Sequence, residues 1–141
     1  MPLLEQVLEK NPKDVKLVYK NFPLRNHKFA RPAAIAALAA GKQGKFWEFH
    51  DLLFKDYNRL NEQKFQEIAR ELNLDMEQFE KDQKDPEILA LISRDMSEGG
   101  RAGVRGTPTL FVNGRLLKNR SLEGFQDMID KEVKKANASK P

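Results

Sequence analysis

Cysteine is absent from this chain of 141 residues, and histidine occurs only twice. Without cysteine the chain can form no disulfide, supply no thiolate nucleophile and build no zinc site with thiolate ligands. The two histidines, His27 and His50, lie in different segments and have no clustered carboxylates beside them, so we expect no metal site. The redox compartment is left undetermined by this composition.

Long apolar runs are also missing. No stretch of about 18 apolar residues occurs, so we expect no membrane-spanning segment. Residues 1–10 have an amphipathic helical pattern and lack the apolar stretch and cleavage site of a secretory signal. From the sequence as written, we expect the chain to remain in the cytoplasm.

Charge is nearly balanced, with 25 Lys and Arg against 21 Asp and Glu, which gives a net charge of +4. The charges are spread over predicted helices, and only the C-terminal residues are locally basic. A basic stripe with interleaved aromatic residues is not visible, so we expect no nucleic-acid partner. Hydrophobic residues make up 40% of the chain, which is enough for one domain with a core.

The order of patterns along the chain is helix, strand, several helices, β-hairpin and helix. Residues 15–20 alternate between apolar and polar residues, and Val18 adds a second apolar face, which predicts a strand buried inside a sheet. Residues 110–112 predict another strand, followed by Asn113-Gly114, a pair suited to a type I′ turn. A last helix begins after Ser121.

An aromatic-rich helix follows an alanine-rich helix in the middle of the chain. Its apolar residues recur at helical spacing, and we interpret them as facing a core rather than forming a ligand cage. They are Phe46, Trp47, Phe49, Leu52, Leu53, Phe54 and Tyr57.

Several segments together resemble bacterial thiol-disulfide oxidoreductases of the DsbA type. The resemblance covers nearly the whole chain and includes "KLVYKNFPL", "PAAIAALAAGKQGKFWEFHDLLF", "LNLDMEQFEKD" and "GVRGTPTLFVNGRLL". It implies an α/β, thioredoxin-like fold in a single domain over residues 1–141, with a helical insertion at 29–101. We expect residues 136–141 to be a disordered tail. Proteins of this family usually lie outside the cytoplasm, in the bacterial envelope.

The most specific part of the resemblance is the loop Val104, Arg105, Gly106, Thr107 and Pro108. In the family the loop proline is cis and lies beside the redox cysteines, and the adjacent strand edge receives an extended substrate peptide. These five residues are therefore the candidate peptide-binding site. The implied partners are extended or unfolded peptides, and neither a cofactor nor a metal is implied.

The redox half of the family site has no counterpart here. The Cys-x-x-Cys motif and the strand before it are absent, so we expect no catalysis by this polypeptide, whether it is a truncated oxidoreductase or a degenerate relative. The absent strand is central in the family sheet. We expect residues 15–20 to pair directly with residues 110–112, or a second copy to fill the gap by strand or helix exchange in a homodimer. A homo-oligomeric interaction or scaffold domain without a redox role is the alternative function.

Overall fold

The computed structural model describes residues Met1–Pro141. The helices, the hairpin and the final helix occur in the predicted order, whereas the strand predicted after the first helix is absent. The elements are α1 Pro2–Lys10, α2 Ala30–Gly41, α3 Phe46–Lys55, α4 Glu62–Glu71, α5 Met76–Asp82, α6 Pro86–Arg101, β1 Phe111–Val112, β2 Arg115–Leu116 and α7 Leu122–Ala138, with a 3-10 turn at Tyr57–Arg59. None of the helices combines the length and the apolar character needed to cross a membrane.

The chain forms two compact units. The first, here called the hairpin unit, combines Met1–Tyr19 with Gly106–Pro141, and the second, the helical unit, is Lys20–Arg105. The predicted insertion at 29–101 lies entirely inside the helical unit.

The core of the helical unit surrounds the alanine-rich helix α2. Ala36, Ala39 and Ala40 of α2 are fully buried, because a methyl side chain lets a neighbouring helix lie close. The large side chains that fill the remaining space come from α3 to α6 and are also fully or almost fully buried. They are Phe49, Phe65, Ile68, Phe79 and Ile92.

Three helices of this unit begin at a side-chain cap. Asn61 accepts a hydrogen bond from the backbone N–H of Lys64 at 2.7 Å, and Asp75 does the same for Gln78 at 3.0 Å. Asp85 caps α6 by accepting from Glu87 N–H at 2.9 Å. Each cap satisfies a backbone donor that the first helical turn leaves without a partner.

The aromatic helix α3 corrects one prediction. Phe49 and Leu53 are buried as expected, but Trp47 is 40% exposed, Phe54 56% and Tyr57 67%. Successive residues of a helix are rotated by about 100°, which places Trp47 and Phe54 on the side opposite Phe49. The apolar residues therefore surround more of the helix than one core can cover.

The hairpin unit has its own small core. Val7 of α1, Leu117 after β2, and Phe125 and Ile129 of α7 are buried together. The amphipathic pattern of the N-terminal residues is thus explained by packing in this core.

The predicted strand at residues 15–20 is wrong. The sheet contains only β1 and β2, and residues 15–20 have no regular secondary structure, so they do not pair with residues 110–112. Val18, expected to be buried between two layers, is 62% exposed. Alternation in the sequence can indicate which side chains face inward, but a strand also needs a partner for its backbone hydrogen bonds.

The C-terminal tail also differs from expectation. Helix α7 continues to Ala138, so residues 136–138 are helical rather than disordered. Helix-favouring lysine and alanine residues in this stretch allow the helix to extend past its last buried side chain.

Candidate functional site

The predicted site residues form the connection between α6 and β1. Arg105, Thr107 and Pro108 are exposed, whereas Val104 and Gly106 are partly buried. The boundary between the two compact units falls inside this stretch. Val104 and Arg105 belong to the helical unit, and Gly106, Thr107 and Pro108 belong to the hairpin unit.

Val104 is placed by the end of α6. Gly103 has a φ of +84°, a left-handed conformation that glycine adopts without steric cost. Its N–H donates to the carbonyl of Gly100 at 3.1 Å, and the N–H of Val104 donates to the carbonyl of Gly99 at 2.9 Å. This pair of bonds is a Schellman motif, which satisfies two carbonyls at the end of the helix and turns the chain toward the loop.

Two side chains hold the loop residues that follow. Thr109 Oγ1 donates a hydrogen bond to the carbonyl oxygen of Gly106 at 2.7 Å. Arg120, which lies between β2 and α7, donates from Nη1 to the carbonyl oxygen of Pro108 at 3.2 Å. The Thr107–Pro108 peptide bond between these contacts is cis, the isomer that the resemblance implied.

The hairpin after the loop has the predicted turn. Asn113 has a φ of +48° and Gly114 a φ of +78°, so both central residues are left-handed, as a type I′ turn requires. The register pairs Phe111 with Leu116 and Val112 with Arg115. The turn type thus fixes which residues of β1 and β2 lie opposite each other.

This register determines which backbone groups face outward. Leu117 N–H donates to the carbonyl of Leu110 at 2.8 Å, so these two residues form a hydrogen-bonded pair. Opposite residues of antiparallel strands alternate between hydrogen-bonded and non-hydrogen-bonded pairs, so Phe111 and Leu116 form a non-hydrogen-bonded pair. The N–H and carbonyl of Phe111 therefore point away from β2, toward the outer edge of β1. No third strand covers that edge.

The two faces of the hairpin differ in burial. Leu110 and Val112 are partly buried against the core of the hairpin unit. On the opposite face, Phe111 is 40% exposed and Leu116 is 49% exposed. The exposed face of the hairpin thus carries a pair of large apolar side chains, of which Phe111 lies at the outer edge of β1.

An ion-pair cluster fixes the hairpin to α7. Glu132 accepts from Arg115 Nε at 3.2 Å and from Lys135 Nζ at 3.3 Å. Desolvation acts to raise the pKa of Glu132, but hydrogen bonds from Lys135 and Asn113 and the charges of Lys135 and Arg115 outweigh it, and the net pKa is lowered. The carboxylate is therefore held in its charged form.

The two histidines lie outside the predicted site residues. His27 is exposed in the loop before α2. His50 is buried on α3, with Nδ1 3.1 Å from Asp51 Oδ1 and aromatic rings of Phe46, Trp47 and Phe54 around it. No group of three or more potential metal-binding side chains converges in the structure.

Comparison with known proteins decides the family. The sequence model of the family described as thioredoxin matches residues 2–131, which is most of the chain. This chain belongs to the thioredoxin family. A crystal structure of a thioredoxin-like oxidoreductase from Silicibacter pomeroyi superimposes on it with a TM-score of 0.85 and 34% sequence identity, over 95% of this chain and 77% of that chain. The thioredoxin-like fold is therefore shown, here with most of its residues in helices and a sheet of two strands.

Two kinds of curated relatives match this thioredoxin-family chain. The probable disulfide bond formation protein D of Bacillus cereus is 32% identical over 142 aligned residues, which cover 94% of this chain and 64% of that protein. The Na(+)/H(+) antiporter NhaA 3 of Salinispora tropica is 39% identical over 102 residues, which cover 72% of this chain and 16% of that protein. The chain thus spans less than two thirds of either relative.

Sequence reasoning did not single out Arg120, which contacts Pro108, or the outward-facing backbone of Phe111. Phe111 was read as a strand residue, and the direction of its backbone groups depends on the register of the hairpin. A signal for Arg120 was present, because residues 99–122 contain five basic residues and no acidic one.

Proposed function

We propose that this thioredoxin-family chain, a relative of the DsbA type, binds extended peptides along the outer edge of β1 and does not itself catalyse thiol-disulfide exchange. The observation that carries the proposal is the outward-facing backbone of Phe111 at the edge of a two-stranded sheet. An extended peptide can add to such an edge as a further strand, using main-chain hydrogen bonds for affinity.

The loop before β1 supports this site. Gly106, Thr107 and Pro108 lead into the strand through Thr109 and Leu110, and Thr107 and Pro108 are exposed. Thr109 and Arg120 hold the carbonyls of Gly106 and Pro108, so the approach to the edge is ordered by hydrogen bonds. Val104 and Arg105 precede this loop and complete the predicted site residues.

The proposed lack of redox activity is supported by chemistry. Disulfide exchange proceeds by attack of a thiolate on a sulfur, and these 141 residues contain no cysteine. Serine and threonine hydroxyls cannot replace a thiolate in this reaction. We therefore assign to this chain the binding of peptides without the exchange of disulfides.

A pair of proline variants tests the peptide site. Phe111→Pro removes an N–H that points to the outer edge of β1, whereas Leu116→Pro removes the equivalent N–H on the opposite edge, at β2. Neither change deletes a hydrogen bond between β1 and β2. Binding of a short, capped, fluorescein-labelled peptide rich in valine and threonine, with glutamine at both ends, is measured by fluorescence anisotropy.

We expect Phe111→Pro to weaken binding by roughly tenfold, because a peptide carbonyl loses its donor. Leu116→Pro should bind like the unmodified chain, and thermal unfolding of both variants shows whether the hairpin unit is intact. Equal binding by the unmodified chain and both variants would show that the peptide does not bind along the outer edge of β1. No binding by any of the three proteins would contradict the proposal.

The alternative, a homo-oligomeric interaction domain, uses the same free edge. Phe111 and Leu116 expose apolar surface beside it, and two copies could pair through their β1 edges. Light scattering across a range of protein concentrations distinguishes the two functions. A dimer that Phe111→Pro converts to a monomer favours self-association, and a monomer at all concentrations favours the peptide site.

A further inference from the structure

Phe111 combines outward-facing backbone groups with an exposed side chain. Its N–H and carbonyl point to the outer edge of β1, because Phe111 and Leu116 form a non-hydrogen-bonded pair. Its side chain is 40% exposed, on the face of the hairpin that it shares with Leu116. Leu110 and Val112 have the opposite arrangement, since their side chains are partly buried and their backbone groups face β2. A strand that pairs with the outer edge therefore meets the backbone and the side chain of the same residue, Phe111.

The two backbone bonds of Phe111 determine where an added strand lies. A residue of an antiparallel peptide exchanges both bonds with Phe111 and lies directly opposite it. A parallel peptide uses two residues for these bonds, and the residue between them lies opposite Phe111. Opposite residues of paired strands project their side chains to the same face, with Cβ atoms about 5 Å apart. In either direction, one peptide side chain thus lies against the ring of Phe111.

We propose that the peptides bound along β1 carry an aromatic or β-branched aliphatic residue opposite Phe111. This inference rests on the proposed peptide site and specifies its ligand class. An aromatic ring pairs favourably across strands with aromatic and β-branched side chains. The contact also removes the exposed part of the Phe111 ring from water, which adds a hydrophobic contribution to the main-chain hydrogen bonds.

The composition of the strand and its entry loop favours an apolar residue over an acidic one. Residues 106–114 contain no charged side chain. Arg115, the first charged residue after them, lies in β2 and is paired with Glu132. A carboxylate opposite Phe111 thus meets the ring of a phenylalanine and no counter-ion from β1, so it loses hydration without gaining an ionic partner.

Leu116 shares the exposed face with Phe111 but lies one strand further from the peptide. Because β1 is between them, the backbones of β2 and of an added strand are separated by two strand spacings, about 10 Å. Replacing Leu116 therefore removes apolar surface from the same face of the hairpin without removing the proposed contact. Leu116 is thus the matched control position for Phe111.

The experiment uses capped, fluorescein-labelled peptides of alternating threonine and glutamine that differ only in one central residue, which is isoleucine, glutamine, glutamate or lysine. Affinities are measured by fluorescence anisotropy. Phe111→Thr is the test variant, because threonine keeps the backbone N–H and favours strands but lacks the ring. Leu116→Thr is the control, and Phe111→Tyr is the conservative variant that keeps a ring.

We expect the isoleucine peptide to bind the unmodified chain roughly twofold to fivefold more tightly than the glutamine peptide. Phe111→Thr should abolish most of this preference while the glutamine peptide keeps its affinity, which shows that the edge is intact. Phe111→Tyr and Leu116→Thr should both keep the preference. Thermal unfolding of each variant shows whether the hairpin unit is folded.

Equal affinity for the isoleucine and glutamine peptides would overturn this inference and leave the peptide site standing. No binding of any peptide would overturn both. A glutamate or lysine peptide that binds as tightly as the isoleucine peptide would contradict the apolar preference. A preference that Leu116→Thr reduces as much as Phe111→Thr would reflect the apolar face of the hairpin as a whole and would overturn the pairing with Phe111.

Discussion

Asp95 Oδ2 accepts two hydrogen bonds from Asn21, one from its backbone N–H and one from its side-chain Nδ2, each at 2.9 Å. Both residues are buried, with Asn21 4% and Asp95 3% exposed. Lys20 lies beside them, with Nζ 3.7 Å from Asp95 Oδ1. One carboxylate of α6 thus fixes the beginning of the helical unit to that helix.

Replacing Asp95 by alanine should therefore destabilise the helical unit. Two buried donors of Asn21 lose their acceptor, and we expect the free energy of unfolding to fall by about 2 to 5 kcal/mol. Urea denaturation measures the change. Glu98→Ala is the matched control on the same helix, because Glu98 contacts Lys20 in a more exposed pair at 3.2 Å and its loss should cost less than about 1 kcal/mol. Equal losses in the two variants would contradict the importance assigned to the Asn21 contact.

Alanine substitutions at the adjacent glycines Gly99 and Gly100 of α6 should change the stability in opposite directions. A Cβ at Gly99 would lie 2.9 Å from Cδ2 of Phe22, whereas a Cβ at Gly100 would meet nothing within 4 Å. Alanine in an open helical position is more stable than glycine by roughly 0.5 to 1 kcal/mol, so Gly100→Ala should raise the melting temperature. Gly99→Ala should lower the stability by about 1 to 2 kcal/mol, because the ring of Phe22 must move.

Thermal unfolding of the two glycine variants measures both effects in one experiment. A stabilised Gly99→Ala variant would show that the Phe22 ring does not lie against α6.

The Glu132 cluster predicts a dependence of stability on pH. The pKa of Glu132 in the folded chain is lowered from its ordinary value of 4.5. A lowered folded pKa means that the carboxylate stabilises the fold above the unfolded pKa, and that this contribution is lost as the pH falls through the folded pKa. Glu132→Gln should therefore be less stable than the unmodified chain near neutral pH, and the difference should shrink in acid.

Urea midpoints of the two proteins at about pH 7 and about pH 3.5 test this dependence. Glu9→Gln, at an exposed position of α1, is the control and should change little at either pH. A difference between Glu132→Gln and the unmodified chain that stays constant over this range would exclude the ion-pair cluster as its source.

Insulin reduction tests the proposed lack of redox activity. With dithiothreitol as reductant, the chain should not accelerate precipitation of the insulin B chain above the rate without protein, because it has no thiol to exchange. A thioredoxin that contains its cysteines serves as the positive control. Measured turnover by this chain would refute the assignment of the activity to cysteines.

Some structural features could be predicted from short segments of the sequence. The Asn113-Gly114 turn and the helix that begins after Ser121 appear in the structure as predicted, because each depends on residues within one or two turns of chain. The loop from Val104 to Pro108 was found through a family resemblance carried by a contiguous motif. Such features depend on backbone preferences that a short segment already contains.

Other features depend on which surface each segment meets. Val18 lies within a segment that alternates like a strand, and Trp47 lies at helical spacing, yet both side chains are exposed because no layer covers them in this chain. The outward direction of the Phe111 backbone groups and the contact of Arg120 with Pro108 likewise depend on which distant residues lie opposite each other.

The amino-acid sequence by itself determined the order of the helices and the hairpin, the turn of the hairpin and the absence of any thiol. These properties follow from side-chain type and from interactions between near neighbours in the chain. Only the tertiary structure decided which apolar faces are buried, that residues 15–20 have no strand partner, and that no third strand pairs with the outer edge of β1. Burial and pairing are relations between distant segments, and local preference cannot specify them.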